Sequence, residues 1–334
     1  MGIKNLNNFI SKHAPQSMEE ADISKLSGST VAIDTSIFLY KFMYSLKFID
    51  NFIQQVFHFR KFNIQPIYVF DGAPPKEKQE TLNNRKEQKE KLYLKIEEIQ
   101  GQIKTAREKK EDIKQLQKEL AVMKKKCIVI TKEDIVTLKS VFDILGVQYI
   151  QCDCEADLVC CELYKSKKVD ACMSNDMDFL PSGCGKLIRN YNLSNKITLY
   201  DLEHLLTLIN FNYDQFVDFC ILCGCDYTGK IQGLGSETAY KFLKQGDNIE
   251  TILEKYVGEG KKYSQPENFE FQKSRELLKN EGKVVKFSIE NENIDKKELS
   301  HISPEEILFM LTKTRYTDKQ LQNKLKIICS PETQ

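Results

Sequence analysis

Ile67-Tyr68-Val69-Phe70-Asp71-Gly72 is a short apolar run that ends on an acid and a glycine. The same shape recurs along the chain. Val31-Ala32-Ile33 runs into Asp34, and Ala171-Cys172-Met173-Ser174 runs into Asn175-Asp176-Met177-Asp178. Short apolar runs bounded by turn residues read as buried strands. In an open parallel sheet the carboxyl ends of the strands lie along one rim, where sites form. If these runs share a sheet, their acids converge. Ile221-Leu222-Cys223-Gly224-Cys225 likewise runs into Asp226, and Glu155-Ala156-Asp157 opens a helical stretch. Clustered carboxylates repel unless cations hold them, and hard oxygen donors suit Mg²⁺ or Mn²⁺.

The segments between these runs are helical. Phe52, Ile53, Val56, Phe57 and Phe59 give a buried helix face that feeds the Ile67–Phe70 strand. Ile135, Leu138, Val141, Phe142 and Leu145 suit a helix ending at Gly146, with a short strand over Val147–Ile150 and a helix over 155–165. Alternating strands and helices predict an α/β fold, a mainly parallel twisted sheet flanked by helices. Beyond residue 200 the chain reads as mostly helical, without repeats.

Pro74-Pro75 interrupts this pattern, and residues 76–126 carry no strand signal. Ile96, Ile99 and Ile103 recur at helical spacing, as do Ile113, Leu116, Leu120 and Met123, which predicts two helices packed on each other with a turn between Gly101 and Asp112. This segment holds 16 Lys and Arg against 10 Asp and Glu, a net of +6 in a chain of net +1. The rest of the chain is therefore acidic by 5 charges. A basic spur beside an acidic body reads either as a solvated coiled-coil hairpin or as an element that grips a polyanion.

Other classes are set aside. No apolar run approaches the 18 residues of a spanning helix, and the N-terminus lacks the apolar core of a signal peptide. Gly2 invites myristoylation, but Leu6 stands where that pattern wants Ser or Thr. The 11 cysteines show no disulfide spacing, which points to a reducing compartment. Cys220, Cys223 and Cys225 offer one Cys-x₂-Cys without a second pair at finger spacing, so zinc is not expected. His13, His58, His204 and His301 lack ligand spacing and read as structural.

A single acidic pair is better read as helix capping. Four acidic strand or helix ends in one α/β chain are harder to explain that way. Two metal ions held by such acids support in-line phosphodiester hydrolysis, which requires no side-chain nucleophile.

Met1-Gly2-Ile3, Val31-Ala32-Ile33-Asp34, Tyr68-Val69-Phe70-Asp71-Gly72-Ala73-Pro74-Pro75, Glu155-Ala156-Asp157, Asn175-Asp176-Met177-Asp178 and Gly224-Cys225-Asp226-Tyr227 followed by Gly233-Leu234-Gly235 resemble the flap endonuclease family of structure-specific 5′ nucleases. Lys262-Tyr263 and Pro266-Glu267-Asn268 extend the likeness. It implies a PIN-like nuclease core over 1–75 and 127–220, and a basic helical arch over 76–126. A helix–two-turn–helix DNA-binding element would span 221–262, with a helical C-terminal segment over 263–334. Its metal acids fall on Asp34, Asp71, Glu155, Asp157, Asp176, Asp178 and Asp226, with Asp157 one methylene shorter than the Glu of cellular members. Lys78 and Arg85 fall on the two basic residues that face the scissile phosphate, and Tyr40 on an aromatic that stacks on a base; the local pattern alone reads Tyr40 as core. Catalysis is thus expected from Asp34, Asp71, Glu155, Asp178, Lys78 and Arg85. DNA contacts are expected from Gly2, Tyr40, Lys78, Arg85, Lys230, Gly233 and Gly235.

The implied cofactors are two Mg²⁺ ions, with Mn²⁺ as a substitute, and K⁺ at the helix–two-turn–helix. Lys230 stands where many relatives carry a Ser that helps ligate that K⁺, so its ammonium is an alternative contact to DNA. The Tyr40–Asp71 stretch is shorter than in cellular members, where it carries the hydrophobic wedge and 3′-flap pocket, so the resemblance does not extend to a preference for double flaps. Pro331-Glu332-Thr333-Gln334 carries no sliding-clamp-binding tail. The expectation is a minimal, monomeric, intracellular enzyme acting on branched or flapped DNA, at a nuclear or cytoplasmic site of replication and away from membranes. A 5′–3′ exonuclease or Holliday-junction resolvase of the same family, and a catalytically dead DNA-binding relative, are the alternatives.

Overall fold

The computed structural model describes residues 2–44, 47–280, 287–290 and 303–313. Met1, His301 and the Pro331–Gln334 end lie outside the described residues. Seven strands form one sheet: β1 (Met18–Asp22), β2 (Thr30–Asp34), β3 (Gln65–Phe70), β4 (Gln148–Gln151), β5 (Ala171–Met173), β6 (Lys186–Arg189) and β7 (Lys196–Asp201). Their order is β1-β7-β6-β5-β2-β3-β4. Strands β2 to β6 run parallel, while β7 is antiparallel to both β6 and β1. The sheet is therefore mixed and mostly parallel, as the alternating pattern predicts. The antiparallel wing was not legible, because β6 and β7 are short and join by a turn rather than a helix.

Both faces of the sheet are covered, and strand alternation decides what each face buries. Ala32, Ile67, Val69, Ile150 and Cys172 face one apolar layer; Val31, Ile33, Tyr68, Phe70, Ala171 and Met173 face the other. The first layer is filled by α1 (Leu6–His13) and, further along, by α7 (Ala156–Lys165), α8 (Leu202–Ile209) and α9 (Tyr213–Cys223). The second is filled by α2 (Thr35–Tyr44), α3 (Phe48–Lys61) and α6 (Lys132–Ile144). Tyr68 and Phe142 stack at 4.4 Å between centroids in that second layer.

Between β3 and α6 the chain leaves the body as a helical hairpin, α4 (Gln79–Glu108) and α5 (Lys114–Lys126). Among the described side chains of α4 the buried ones form a narrow stripe: Ile96, Ile99, Ile103 and Ala106. The half-buried Leu116, Leu120 and Met123 of α5 supply the matching seam. The turn falls over residues 109–113, close to its expected place. After α9 come α10 (Ser236–Lys244), α11 (Ile249–Tyr256) and α12 (Phe271–Lys279), then α13 (Pro304–Lys313). Arg275 of α12 forks onto Asp218 of α9 at 2.5 and 2.6 Å and onto Glu250 of α11 at 2.6 and 2.9 Å, which ties these helices together.

Candidate active site

The strand order reverses between β2 and β5, and the acids gather at that switch point. Asp34 ends β2, Asp71 follows β3, and Asp176 and Asp178 follow β5. Glu155 is the N-cap of α7 and Asp157 lies in its first turn, just beyond β4. Asp226 arrives differently. Its apolar run is the end of α9 and the loop after it.

Two hydroxyls stitch the rim. Ser36 donates to Asp71 Oδ2, while its backbone N–H reaches Asp34 Oδ1 at 3.0 Å. Ser174 donates to Asp34 Oδ2 at 2.9 Å and accepts from the Asp176 N–H at 3.1 Å. Asp71 Oδ1 accepts from the Ala156 N–H at 2.8 Å, which fixes the start of α7 against β3. Tyr227 donates to Glu155 Oε2 at 3.2 Å. None of Ser36, Ser174 and Tyr227 was singled out from sequence; the only available signal was their position within two residues of a candidate acid.

The electrostatics follow from burial plus crowding. Burial, and then the Asp71 charge, push the Asp34 carboxyl up to about 7 against the Ser174 hydrogen bond. Burial and then Glu155 raise Asp157 well above the usual range, and burial and then Asp176 do the same for Asp178. Asp178 Oδ1 is buried without a hydrogen-bond partner. An acceptor-only oxygen in that setting is costly unless a cation meets it. Among the described residues no three such side chains ring one point in ready coordination geometry. Glu155 and Asp226 are instead turned onto basic side chains. The donor set, all carboxylate oxygen with one orphaned atom, fits a hard divalent ion such as Mg²⁺.

A pH test follows. A carboxyl whose pKa is raised on folding stabilises the fold below the ordinary value near 4, and that contribution is lost as pH rises through the folded value. Asp34, at about 7, places the loss between pH 4 and 8. In chelator, the melting temperature should fall by several degrees, on the order of 5 °C, from pH 5 to pH 8. Added Mg²⁺ should restore most of it at pH 8, because a ligand of the native state stabilises by mass action. A melting temperature independent of both would mean that the acids do not share a pocket.

Gly2 closes the floor. It has φ of 78°, and a Cβ there would stand 1.9 Å from Asp176 Oδ1 and 2.5 Å from Asp178 Oδ1. Gly2→Ala should therefore displace both acids and lower turnover by about 10²-fold, with little change in far-UV circular dichroism. Wild-type turnover in this variant would show that the pocket tolerates the methyl.

Two cations sit over the acids. Lys78 Nζ lies 2.5 Å from Glu155 Oε1 and 4.0 Å from Asp226 Oδ2, and Arg85 meets Asp226 Oδ2 at 2.8 Å. Lys78 lies in a 3₁₀ turn (Lys76–Lys78) that feeds α4, not in the regular helix, yet both side chains face the acids. Burial would push the Lys78 ammonium down, but Glu155, with Asp157 and Asp226, outweighs it and holds the group above its ordinary value. Thr81 donates to the Asp226 carbonyl at 3.1 Å, adding a third tie from the same stretch.

The remaining candidates stand apart. Tyr40 is 57% exposed, which corrects the reading as core: α2 buries Phe38, Leu39 and Phe42, and Tyr40 falls on the opposite side of the turn. Gly233, at φ of 79°, and Gly235, the N-cap of α10, form the loop after α9. Lys230 lies in the same loop, half-buried. Every described cysteine is a free thiol, including Cys220, Cys223 and Cys225. No described helix is long and apolar enough to cross a membrane.

Comparison with known proteins adds to this geometry. The XPG N-terminal domain matches residues 1–92 and the XPG I-region matches residues 146–226. The flap endonuclease 1 of Entamoeba dispar is 35% identical over 300 residues, covering 83% of this chain and 75% of its own. That of Cryptosporidium parvum is 33% identical over 312 residues, covering 84% and 61%. Among solved structures, the flap endonuclease-1 from Methanococcus jannaschii superposes with a TM-score of 0.63 at 23% identity, over 93% of this chain and 95% of that one. The Holliday junction-resolving enzyme GEN1, solved with product DNA, Mg²⁺ and Mn²⁺, gives 0.61 at 16% identity, over 97% and 77%.

Proposed function

The chain belongs to the XPG/flap endonuclease family of structure-specific 5′ nucleases, and from that premise we propose that it cleaves branched or flapped DNA near the junction of single strand and duplex. The observation that carries this reading is the electrostatic crowding of six acids at the strand and helix ends with Asp226 from the loop after α9, where Lys78 and Arg85 pair with Glu155 and Asp226. Acids alone would repel a phosphodiester. The pair of cations supplies the attraction.

Asp34, Asp71, Glu155, Asp157, Asp176, Asp178 and Asp226 would hold two Mg²⁺ ions, with Mn²⁺ as a substitute. When bound, such ions activate a water and stabilise the leaving oxygen. The chain's own residues do the rest. Ser36 and Ser174 hold the Asp34 and Asp71 carboxylates in place before substrate arrives. Tyr227 orients Glu155. Lys78 and Arg85 lie where a scissile phosphate must approach, and their charge stabilises the extra negative charge of the transition state.

The α4–α5 hairpin would act as an arch beside the 5′ strand, with Tyr40 exposed to stack on a base. The Gly233–Gly235 loop at the start of α10 would hold duplex, with K⁺ as the expected monovalent ion. The core, the hairpin, the helical element after α9 and the C-terminal segment would act as separate functional units. We place the reaction inside the cell, at a nuclear or cytoplasmic site of DNA replication.

The test is cleavage of matched single-flap, double-flap, nicked and four-way substrates with Mg²⁺. Endonucleolytic products at the flap base are expected. A ladder shortening from a blunt 5′ end would assign the chain to exonuclease work instead, and no cleavage of any substrate would reject a nuclease.

A further inference from the structure

Lys4 and Lys230 are more than 200 residues apart in sequence, yet their side chains cross the same glycine. Gly224 ends α9 with φ of 107°, a conformation that favours glycine. A Cβ on Gly224 would meet Lys230 Cδ at 3.2 Å and Lys4 Cδ at 3.3 Å, so the two aliphatic stems lie side by side over it. The Lys4 N–H donates to the Gly224 carbonyl at 3.0 Å, which locks the N-terminal segment to the end of α9. Neither ammonium is paired with a carboxylate among the described residues. The acid nearest in sequence, Asp226, is already engaged by Arg85.

Two lysine stems that converge on one glycine, neither ending on a described carboxylate, bring two positive charges to one stretch of the chain. A shared anion would meet both. The location narrows the anion. Gly224 stands between α9 and Asp226, and the Gly233–Gly235 loop follows a few residues later. Lys4 follows Gly2, which touches Asp176 and Asp178. The pair thus sits on the surface between the acid pocket and the loop assigned to duplex.

We infer that Lys4 and Lys230 form a two-pronged clamp for one backbone phosphate of the duplex, between the cutting site and the α9–α10 loop. This rests on the DNA-binding reading above. The clamp joins the N-terminal segment to the loop before α10, so a duplex held there has its distance to the acids fixed from both sides. Gly224, with no side chain, is what lets the two stems approach.

The test is binding of a fluorescein-labelled 5′-flap duplex in EDTA, across a series of KCl concentrations, for wild type, Lys4→Gln, Lys230→Gln and the double variant. Each single variant should weaken binding by about three- to tenfold near 0.1 M salt. In the double variant the slope of log affinity against log salt should fall by about 0.9, the value for one phosphate. Lys4→Arg with Lys230→Arg should retain wild-type affinity, since it keeps both charges. An unchanged affinity and slope in the double variant overturns the clamp. A fall in slope by about twice that amount overturns the shared phosphate and assigns one to each lysine. Flap cleavage by wild type in Mg²⁺ is read in parallel: its presence with an unchanged double variant rejects the clamp alone, whereas its absence rejects the nuclease reading itself.

Discussion

Asp178→Ala is expected to lower 5′-flap cleavage by at least about 10³-fold while leaving flap-DNA affinity within about threefold of wild type. The carboxylate is buried, one of its oxygens has no partner, and its neighbours Asp176, Asp226 and Asp157 all push its pKa up. Such a group is an expense to the metal-free fold, so its removal should not unfold the protein. In chelator the melting temperature of Asp178→Ala should equal or exceed that of wild type, since one buried charge is gone. The combination separates a metal ligand from a structural residue. A structural Asp would lose stability and activity together, whereas a ligand loses activity and gains metal-free stability. Wild-type cleavage by Asp178→Ala in Mg²⁺ would reject the mechanism.

Lys78→Ala should be nearly as damaging, by a second route. Lys78 is the cation nearest Glu155, and both side chains are only 12% exposed. Truncation removes the positive charge that meets the scissile phosphate, for which a loss of about 10²–10³ in the single-turnover rate is expected. It also leaves Glu155 against Asp157 without its ammonium, so the metal-free protein should be less stable, opposite in sign to Asp178→Ala. Lys78→Arg should recover part of the rate and most of the stability, because charge returns but its geometry differs. Arg85→Ala should act in the same direction. Since Lys78 and Arg85 both face Asp226, the double variant should lose less than the product of the single losses. Multiplicative losses would show that the two cations serve separate steps.

The chain was unusually legible where short-range chemistry decides structure. The runs ending at Asp34, Asp71 and Ser174 announce strands because a short apolar run closed by polar turn residues is a local signal, and their parallel pairing follows from the helices between them. The stripe Ile96–Ile99–Ile103 announces α4 for the same reason. The β6–β7–β1 wing escaped notice because strands of four to six residues, two of them joined by a turn, leave little pattern. Tyr40 was misread by its apolar neighbours, since pattern alone does not fix which side of a short helix meets the core.

By itself, then, the sequence determined the α/β class and the family and nominated the acids, all of which rest on local periodicity or on motifs in order. The tertiary structure alone decided that Ser36 and Ser174 bind the acids together, that Lys78 takes Glu155 while Arg85 takes Asp226, and that Gly2 is the floor of the pocket. It also brought Lys4 beside Lys230. Each of these contacts joins an acid or glycine to a partner placed by the register of another strand or by the end of another helix, and side-chain reach across a packed interior cannot be read from spacing along the chain.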